Sequence, residues 1–208
     1  MIPYEKKSHP SPLISAVAEK FPMIKVITYI IGLFDPYGID HSERVAILSV
    51  EIGKRMNLTD DQLEELELAA LLHDIGKLGI PESIRAKPGA LTEAEYSLMQ
   101  QHTIISKKIL ERMNGGISPN VHAGVLHHHE RWDGSGYPYG LIGDTIPIYS
   151  QIIGIADSFD AITHTRGYRL AAQYDHAVKQ MVFEQNNTVI FSPEPFRHFL
   201  EIKVEKHV

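Results

Sequence analysis

Hydrophobic positions recur with helical spacing from about residue 41 onward. Apolar side chains stand three and four residues apart, at Val45, Leu48, Ile52 and Met56. This spacing is typical of a helix that buries one face. His41 lies on the same face, so we expect its ring to be buried.

Three later helices have recognisable starts. Thr59 with Gln62, and Thr92 with Glu95, have the spacing of a capping box. Pro119 directly after Ser118 is typical of the first turn of another helix. These signals predict helices that begin near residues 60, 93 and 119.

The predicted helices carry polar residues at their ends or on their apolar faces. The helix after Thr59 ends near two glycines, with His73, Asp74 and Lys77 in its last turns. His102 falls in an apolar stripe formed by Leu98, Ile105 and Ile109. The helix after Ser118 is predicted to bury Val121 and Val125, and it delivers His128 and His129 just before a glycine-rich turn, Asp133 to Gly136.

A further helix is predicted after Pro147, because residues 152 to 156 are almost wholly apolar. It places Asp157 and Asp160 one turn apart, which implies a buried carboxylate. The tail after Arg169 predicts one or two more helices, broken near Pro193 and Pro195. Strand signals are weak throughout, so the sequence predicts an all-α bundle.

The composition of the chain limits the partners and the cellular location that it could have. The 208 residues are 43% hydrophobic, carry a net charge of -6 and include no cysteine. The negative charge argues against duplex nucleic acid as a partner. Residues 23 to 34 are apolar over only 12 positions and include a lysine, whereas a membrane span needs about 20. We therefore expect no membrane span, no signal peptide and a cytoplasmic location.

The 12 histidines are the unusual feature of the composition. A single inward histidine is most simply a hydrogen-bonded core residue. Seven inward polar side chains together are better explained by metal ligation, which neutralises buried carboxylates. These residues are His41, His73, Asp74, His102, His128, His129 and Asp157. Seven ligands exceed the needs of one catalytic ion, so we expect two divalent ions with Asp74 as the bridge.

Two such ions activate water and hold phosphoryl oxygens, which predicts phosphoester hydrolysis. Lys77 lies one turn after His73, where its ammonium is suited to stabilise phosphoryl charge. The alternative is a surface lysine near a helix end. Imidazole and carboxylate ligands suit iron or manganese, with nickel or zinc as alternatives.

Two motifs carry a resemblance to a known family. They are His73-Asp74-Ile75-Gly76-Lys77 and the run from His128-His129 through Asp133-Gly134-Ser135-Gly136-Tyr137-Pro138. Together with His41, the lone His102 and Asp157, they resemble the HD-GYP family. The resemblance covers about two thirds of the chain. It implies an HD-superfamily helical bundle with a GYP-containing loop over residues 35–208, preceded by a short helical segment, 1–34.

The resemblance also implies a substrate and its contacts. Family members hydrolyse cyclic di-GMP to the linear dinucleotide and in some cases to GMP. The same seven residues correspond to metal ligands and Lys77 to the catalytic lysine, while the implied nucleotide contacts are Asp35, Tyr137, Asp160, Arg166 and Arg169. Alternatives stay open: Asp160 as a capping or salt-bridge carboxylate, the two arginines as a solvated face, and Tyr137 as a residue that only shapes the loop.

Departures from the family pattern qualify these expectations. Tyr37 stands where some members have a glutamate that helps to hold a third metal, so we expect two ions. Thr103 and Ser106 replace the usual proline and glycine after the lone histidine, which we expect to affect helix packing more than ligation.

Three other functions compete with cyclic di-GMP hydrolysis. They are hydrolysis of the mixed cyclic GMP-AMP dinucleotide, a weakly active module whose GYP loop docks a diguanylate cyclase, and a different HD-superfamily enzyme acting on nucleotides. The intact ligand set argues against the second, and the Asp133 to Pro138 signature argues against the third.

Overall fold

The computed structural model of the protein describes residues 24, 27, 38–113, 116–163 and 174–202. Over these residues it consists of helices and turns, with a single isolated β-bridge between Asp133 and Ile142. The predicted all-α fold is confirmed. No helix within the described ranges has the length and apolar character needed to cross a membrane.

Eight α-helices and two short 3-10 turns have both of their ends within the described residues. The helices are α1 (Gly38–Arg55), α2 (Asp60–Leu72), α3 (Glu82–Arg85), α4 (Glu93–Arg112), α5 (Pro119–His127), α6 (Ile148–Thr163), α7 (Tyr174–Asn187) and α8 (Pro193–Leu200). The 3-10 turns are Ile75–Gly79 and Gly143–Thr145.

The helix starts follow the sequence signals. Thr59 caps α2 and Thr92 caps α4, each completing its capping box with the residue three positions later. The Ser118 hydroxyl accepts a hydrogen bond from the Val121 N–H at the start of α5. Pro193 and Pro195 lie in the first turn of α8, where a missing N–H costs no helical hydrogen bond.

Helix α6 lies at the centre of the bundle, in contact with α1, α2, α5, α7 and α8. Its apolar residues, with those of α2, form a continuous core to which both Ile24 and Ile27 belong. Burying these apolar surfaces against each other is the main force that holds the helices in place. The core includes Leu66, Leu71, Leu72, Ile152, Ile153, Ile155, Phe159 and Phe199.

Two sequence predictions about helix details are wrong. Leu98 is 50% exposed, and the buried face of α4 instead consists of His102, Thr103, Ser106 and Leu110. This face meets the 3-10 turn after α2, whose close approach favours small and polar side chains. Helix α2 also ends at Leu72, so Lys77 belongs to the separate 3-10 turn rather than to its last turns.

Candidate metal centre

Seven histidine and aspartate side chains from distant parts of the chain meet in one cluster. The donor atoms of one group lie within 4.8 Å of one another, and the group consists of Asp74, His102, His128 and His129. A second group meets the same limit and consists of His41, His73 and Asp74. The two groups share Asp74, so they form one continuous cluster.

The two carboxylate oxygens of Asp74 face different histidines. Oδ2 lies 3.4 Å from His73 Nε2 and 3.6 Å from His41 Nε2. Oδ1 lies 3.4 Å from His102 Nε2. A carboxylate placed in this way can bind one ion through each oxygen.

Asp157 brings a second carboxylate to the cluster from α6. Its Oδ1 lies 3.2 Å from His41 Nε2 and 4.0 Å from His73 Nε2. The side chain is nearly buried, which places its charge in surroundings of low polarity. Asp157 therefore extends the half of the cluster that contains His41 and His73.

The rings of His102, His128 and His129 form the other half. The Nε2 atoms of His102 and His128 are 3.5 Å apart. Two imidazole nitrogens that each lie about 2.1 Å from one tetrahedral ion are separated by roughly 3.4 Å. The ring of His129 lies 4.1 Å from that of His128 and 5.1 Å from that of His102, measured between centroids.

Backbone carbonyls orient three of these rings. In each case Nδ1 is hydrogen-bonded to the carbonyl three residues earlier, at 2.7 Å for His73 with Ala70, 2.8 Å for His102 with Met99 and 2.7 Å for His128 with Val125. His73 and His128 follow the last residues of α2 and α5, where helix carbonyls have no helical partner. Each ring then presents Nε2 to the cluster.

A close contact between the 3-10 turn and α4 fixes the position of His73 and Asp74. The Ser106 hydroxyl accepts a hydrogen bond from the Gly76 N–H at 2.7 Å and donates one to the His73 carbonyl at 3.0 Å. A Cβ atom on Gly76 would lie 1.9 Å from the His102 carbonyl oxygen. The motif therefore needs glycine at position 76 for the two segments to approach.

The electrostatics keep five of the seven side chains of this cluster in the form that binds metal. Burial raises the pKa of Asp74, but Lys77 and His73 outweigh it and hold that pKa well below its usual range. Asp157 behaves in the same way, mainly through its hydrogen bond with His41. Burial lowers the pKa of His102 and His128, and lowers that of His129 to about 3. Ionised carboxylates and neutral imidazoles are the forms that bind metal.

His41 differs from the other histidines. Burial lowers its pKa, but hydrogen bonds with Asp157, Asp160 and Asp74 outweigh this effect and raise it to about 10. In the metal-free protein its ring is therefore protonated at neutral pH. A metal ion at this position must displace that proton.

Buried polar atoms without partners test whether a metal fits the cluster. Within the described part of the chain, His73 Nε2 and Asp74 Oδ1 are buried and have no hydrogen-bond partner. Unsatisfied buried polar atoms are costly, and these two point into the cluster. A divalent ion would satisfy both, so the residues present fit a metal centre.

A loop over residues 128 to 143 covers one side of the cluster. Tyr137 stacks on His129 with ring centroids 4.7 Å apart, and burial raises its pKa. Glu130 holds the loop, because its two carboxylate oxygens accept the Tyr139 and Leu141 N–H groups at 2.8 and 2.9 Å. A Cβ atom on Gly136 would lie 2.3 Å from the Arg131 nitrogen, so only glycine fits there.

The predicted site residues are placed as follows. All seven predicted ligands lie in the cluster, and the Lys77 ammonium forms an ion pair with Asp74. Asp160 is bound to Arg44 and His41, which favours the salt-bridge interpretation that the sequence left open. The remaining predicted nucleotide contacts, Asp35, Arg166 and Arg169, lie outside the described residues.

Sequence reasoning assigned no role to Arg44 or Glu130. Arg44 follows His41 by three residues, as Asp160 follows Asp157, so two facing helices present matched pairs one turn apart. The sequence does not show that these two helices face each other, so the spacing alone did not identify Arg44. Glu130 lies inside the GYP motif, but only the fold shows that the backbone of its own loop turns back onto it.

Comparison with known proteins identifies the family. A family model described as HD domain matches residues 25–190. A cyclic di-GMP phosphodiesterase of Thermotoga maritima is 40% identical over 188 residues, which cover 89% of this chain and 50% of the relative. The 3'3'-cGAMP-specific phosphodiesterase 3 of Vibrio cholerae is 40% identical over 167 residues, covering 80% of this chain and 35% of that protein. The chain thus spans half or less of the length of these relatives.

Solved structures agree on the fold. A cyclic GMP-AMP-specific phosphodiesterase of V. cholerae superposes with a TM-score of 0.57 at 31% identity, covering 92% of this chain and 43% of that one. An HDG"Y"P protein of Bdellovibrio bacteriovorus reaches a TM-score of 0.64 at 19% identity, covering 93% of this chain and 65% of that one. The family model and the relatives at 40% identity show that the chain belongs to the HD domain family, which agrees with the HD motif at His73 and Asp74.

Proposed function

We propose that this chain is a metal-dependent phosphodiesterase that hydrolyses cyclic di-GMP to the linear dinucleotide pGpG. The observation that carries the proposal is the position of Asp74, whose two oxygens face two separate groups of histidines. Relatives named as cyclic di-GMP phosphodiesterases at 40% and 36% identity support the choice of substrate.

We expect the cluster to hold two divalent ions. His41, His73 and Asp157 would hold one of them, His102, His128 and His129 the other, with Asp74 shared. Bound ions supply Lewis acidity toward phosphoryl oxygens and lower the pKa of water at the centre. Iron and manganese are our first candidates, because imidazole and carboxylate ligands suit both, with nickel and zinc as alternatives.

Lys77 acts on the charge of the phosphoryl group. Its ammonium pairs with Asp74 at the edge of the cluster, and its side chain is 19% exposed. From this position the ammonium can donate to a phosphoryl oxygen or to the oxygen that leaves. The positive charge of Lys77 then stabilises the negative charge that develops on either oxygen.

The reaction consumes one water molecule. A phosphorus–oxygen bond forms to the water oxygen, the bond to the 3' oxygen of the next ribose breaks, and that oxygen gains a proton. Tyr137 lies over His129 and is half-buried, so the loop limits how much solvent reaches the cluster. The first cleavage gives pGpG, and a second cleavage would give GMP.

Two alternatives have specific support. Relatives named as 3'3'-cGAMP-specific phosphodiesterases, also 40% identical, favour the mixed cyclic dinucleotide as a second candidate substrate. The GYP loop also exposes Tyr139 and Ile142, each 63% accessible, which would suit a protein partner. Docking of a diguanylate cyclase at this loop stays a prediction.

The test is an anaerobic incubation of the metal-loaded protein with cyclic di-GMP and, separately, with 3'3'-cGAMP. Products are followed by chromatography and metal content is measured on the same sample. Conversion of cyclic di-GMP to pGpG by the intact protein, and none by Asp74→Ala, is the expected result. Conversion of 3'3'-cGAMP alone would identify that dinucleotide, and not cyclic di-GMP, as the substrate. No conversion of either dinucleotide by fully metal-loaded protein would overturn the proposal.

A further inference from the structure

The carboxylate of Asp160 connects His41 to a second side chain of α1. Asp160 Oδ2 lies 2.7 Å from His41 Nδ1. Arg44 donates to the same carboxylate from Nε at 2.6 Å and from Nη2 at 2.9 Å. The side chain of Asp160 is 3% exposed and that of Arg44 is 24% exposed. These three residues form a largely buried unit behind the metal-facing side of the His41 ring.

His41 needs an acceptor of a different kind from the other oriented histidines. The Nδ1 atoms of His73, His102 and His128 are bonded to backbone carbonyls three residues earlier. His41 is the fourth residue of α1, in the first turn, where the backbone groups without helical partners are N–H donors. A side-chain acceptor from another helix therefore takes the place of the carbonyl.

We propose that Asp160, held by Arg44, is a positioning residue that keeps the proton of His41 on Nδ1 and turns Nε2 toward Asp74 and Asp157. An ionised carboxylate only accepts hydrogen bonds, so it selects the His41 tautomer that carries hydrogen on Nδ1. Nε2 is left for a metal ion. The proposal rests on the metal centre of the proposed function, and it gives Asp160 a role other than contact with a nucleotide.

Arg44 fixes where the Asp160 carboxylate points. Its planar guanidinium donates through two nitrogens, which sets both the position and the tilt of the carboxylate. With Oδ1 bound by Arg44 and Oδ2 shared between Arg44 and His41, both oxygens are engaged inside the protein. The side chain of Asp160 is only 3% exposed, which leaves little of its surface for contact with a guanine base.

The first test measures metal affinity without substrate, by anaerobic titration of the metal-free protein with Mn²⁺. Hydrogen-bond partners of ligating histidines typically contribute 10- to 100-fold to metal affinity. Asp160→Ala should therefore weaken binding of one Mn²⁺ by about that factor, and Asp160→Asn, which keeps one oxygen acceptor, should weaken it less. Unchanged Mn²⁺ affinity with a raised KM for cyclic di-GMP would instead identify a nucleotide contact and overturn the proposal.

The second test asks whether Asp160 acts through His41. Adding Asp160→Ala to His41→Ala should cause no further loss of Mn²⁺ affinity, because the ring that Asp160 orients is then absent. Losses that add would show a general structural effect and overturn the proposal. Glu51→Ala, which breaks an exposed ion pair with Lys54 on the same helix, is the matched control and should leave Mn²⁺ affinity unchanged.

A third variant keeps the proposal testable if the alanine variants do not fold. Arg44→Lys keeps the charge but loses the paired donors, and circular dichroism would verify its helical content. We expect weaker Mn²⁺ binding with the fold intact, and wild-type binding would overturn the role of Arg44. Since the Mn²⁺ titrations use no nucleotide, absence of dinucleotide hydrolysis would contradict the proposed function and leave the metal result standing.

Discussion

The Ser106 hydroxyl on α4 accepts a hydrogen bond from the Gly76 N–H at 2.7 Å. The same hydroxyl donates to the His73 carbonyl, so it fixes both ends of the turn that carries Asp74. The sequence marked Ser106 only as a departure from the family pattern with an effect on packing. In the structure this departure supplies the contact that holds the metal-binding turn.

Ser106→Ala should therefore weaken both the fold and the metal centre. A buried N–H that loses its partner costs about 1 to 3 kcal/mol, so the free energy of unfolding should fall by that amount. Metal affinity should fall as well, because His73 and Asp74 lose their fixed position. Urea unfolding and metal titration measure the two effects. Ser97→Ala, on the exposed side of the same helix, is the control, and equal effects from both variants would contradict this role.

Lys77→Ala should separate chemistry from metal binding. If the ammonium stabilises phosphoryl charge, turnover should fall by about 100-fold or more while metal content stays near that of the wild type. Asp74→Ala, by contrast, should lose metal and activity together with the helical fold retained. Product formation and elemental analysis of the same samples distinguish the two variants. Wild-type turnover by Lys77→Ala would show that Lys77 takes no part in the reaction.

Glu130→Ala should release the GYP loop without removing a metal ligand. The Tyr139 and Leu141 N–H groups lose their shared acceptor, so their amide hydrogen exchange should become faster. Turnover should fall because Tyr137 is no longer held over His129. Asp144→Ala, an exposed carboxylate in the same loop region, should change neither property. Protected amides in the Glu130 variant would show that the loop is held by other contacts.

Metal binding should depend on pH through His41. Its pKa of about 10 in the metal-free protein lies above the ordinary value of 6.5, so at pH 7 to 8 binding displaces one proton and affinity rises with pH. The same raised pKa contributes stability to the metal-free fold that is fully present below pH 6.5 and is lost as pH rises through about 10.

Calorimetric titration in buffers with different ionisation enthalpies counts the displaced protons. His41→Ala should release about one proton fewer than the wild type at pH 7.5. His129, whose pKa is lowered to about 3, is already neutral and should contribute none. Equal proton release by the wild type and the His41 variant would show that another group carries the proton.

The sequence predicted the helices and the ligand set because local signals encode both. Capping boxes at Thr59 and Thr92 depend on residues three positions apart, and the family motifs contain their own histidines. The roles of Arg44 and Ser106 depend on partners 116 and 30 residues away, which no local pattern specifies. Leu98 shows the same limit, since apolar spacing indicates a face but not which neighbour covers it.

The metal centre also affects the stability of the fold. Its side chains come from α1, the end of α2, α4, the end of α5 and α6, and they span residues 41 to 157. Bound ions would cross-link segments that are far apart in the unfolded chain. A ligand that binds only the folded state adds about 2.7 kcal/mol at 100 times its Kd. Removing metal with a chelator should therefore lower the melting temperature as well as stop turnover. The concentration of available metal would then set the fraction of the protein that is folded.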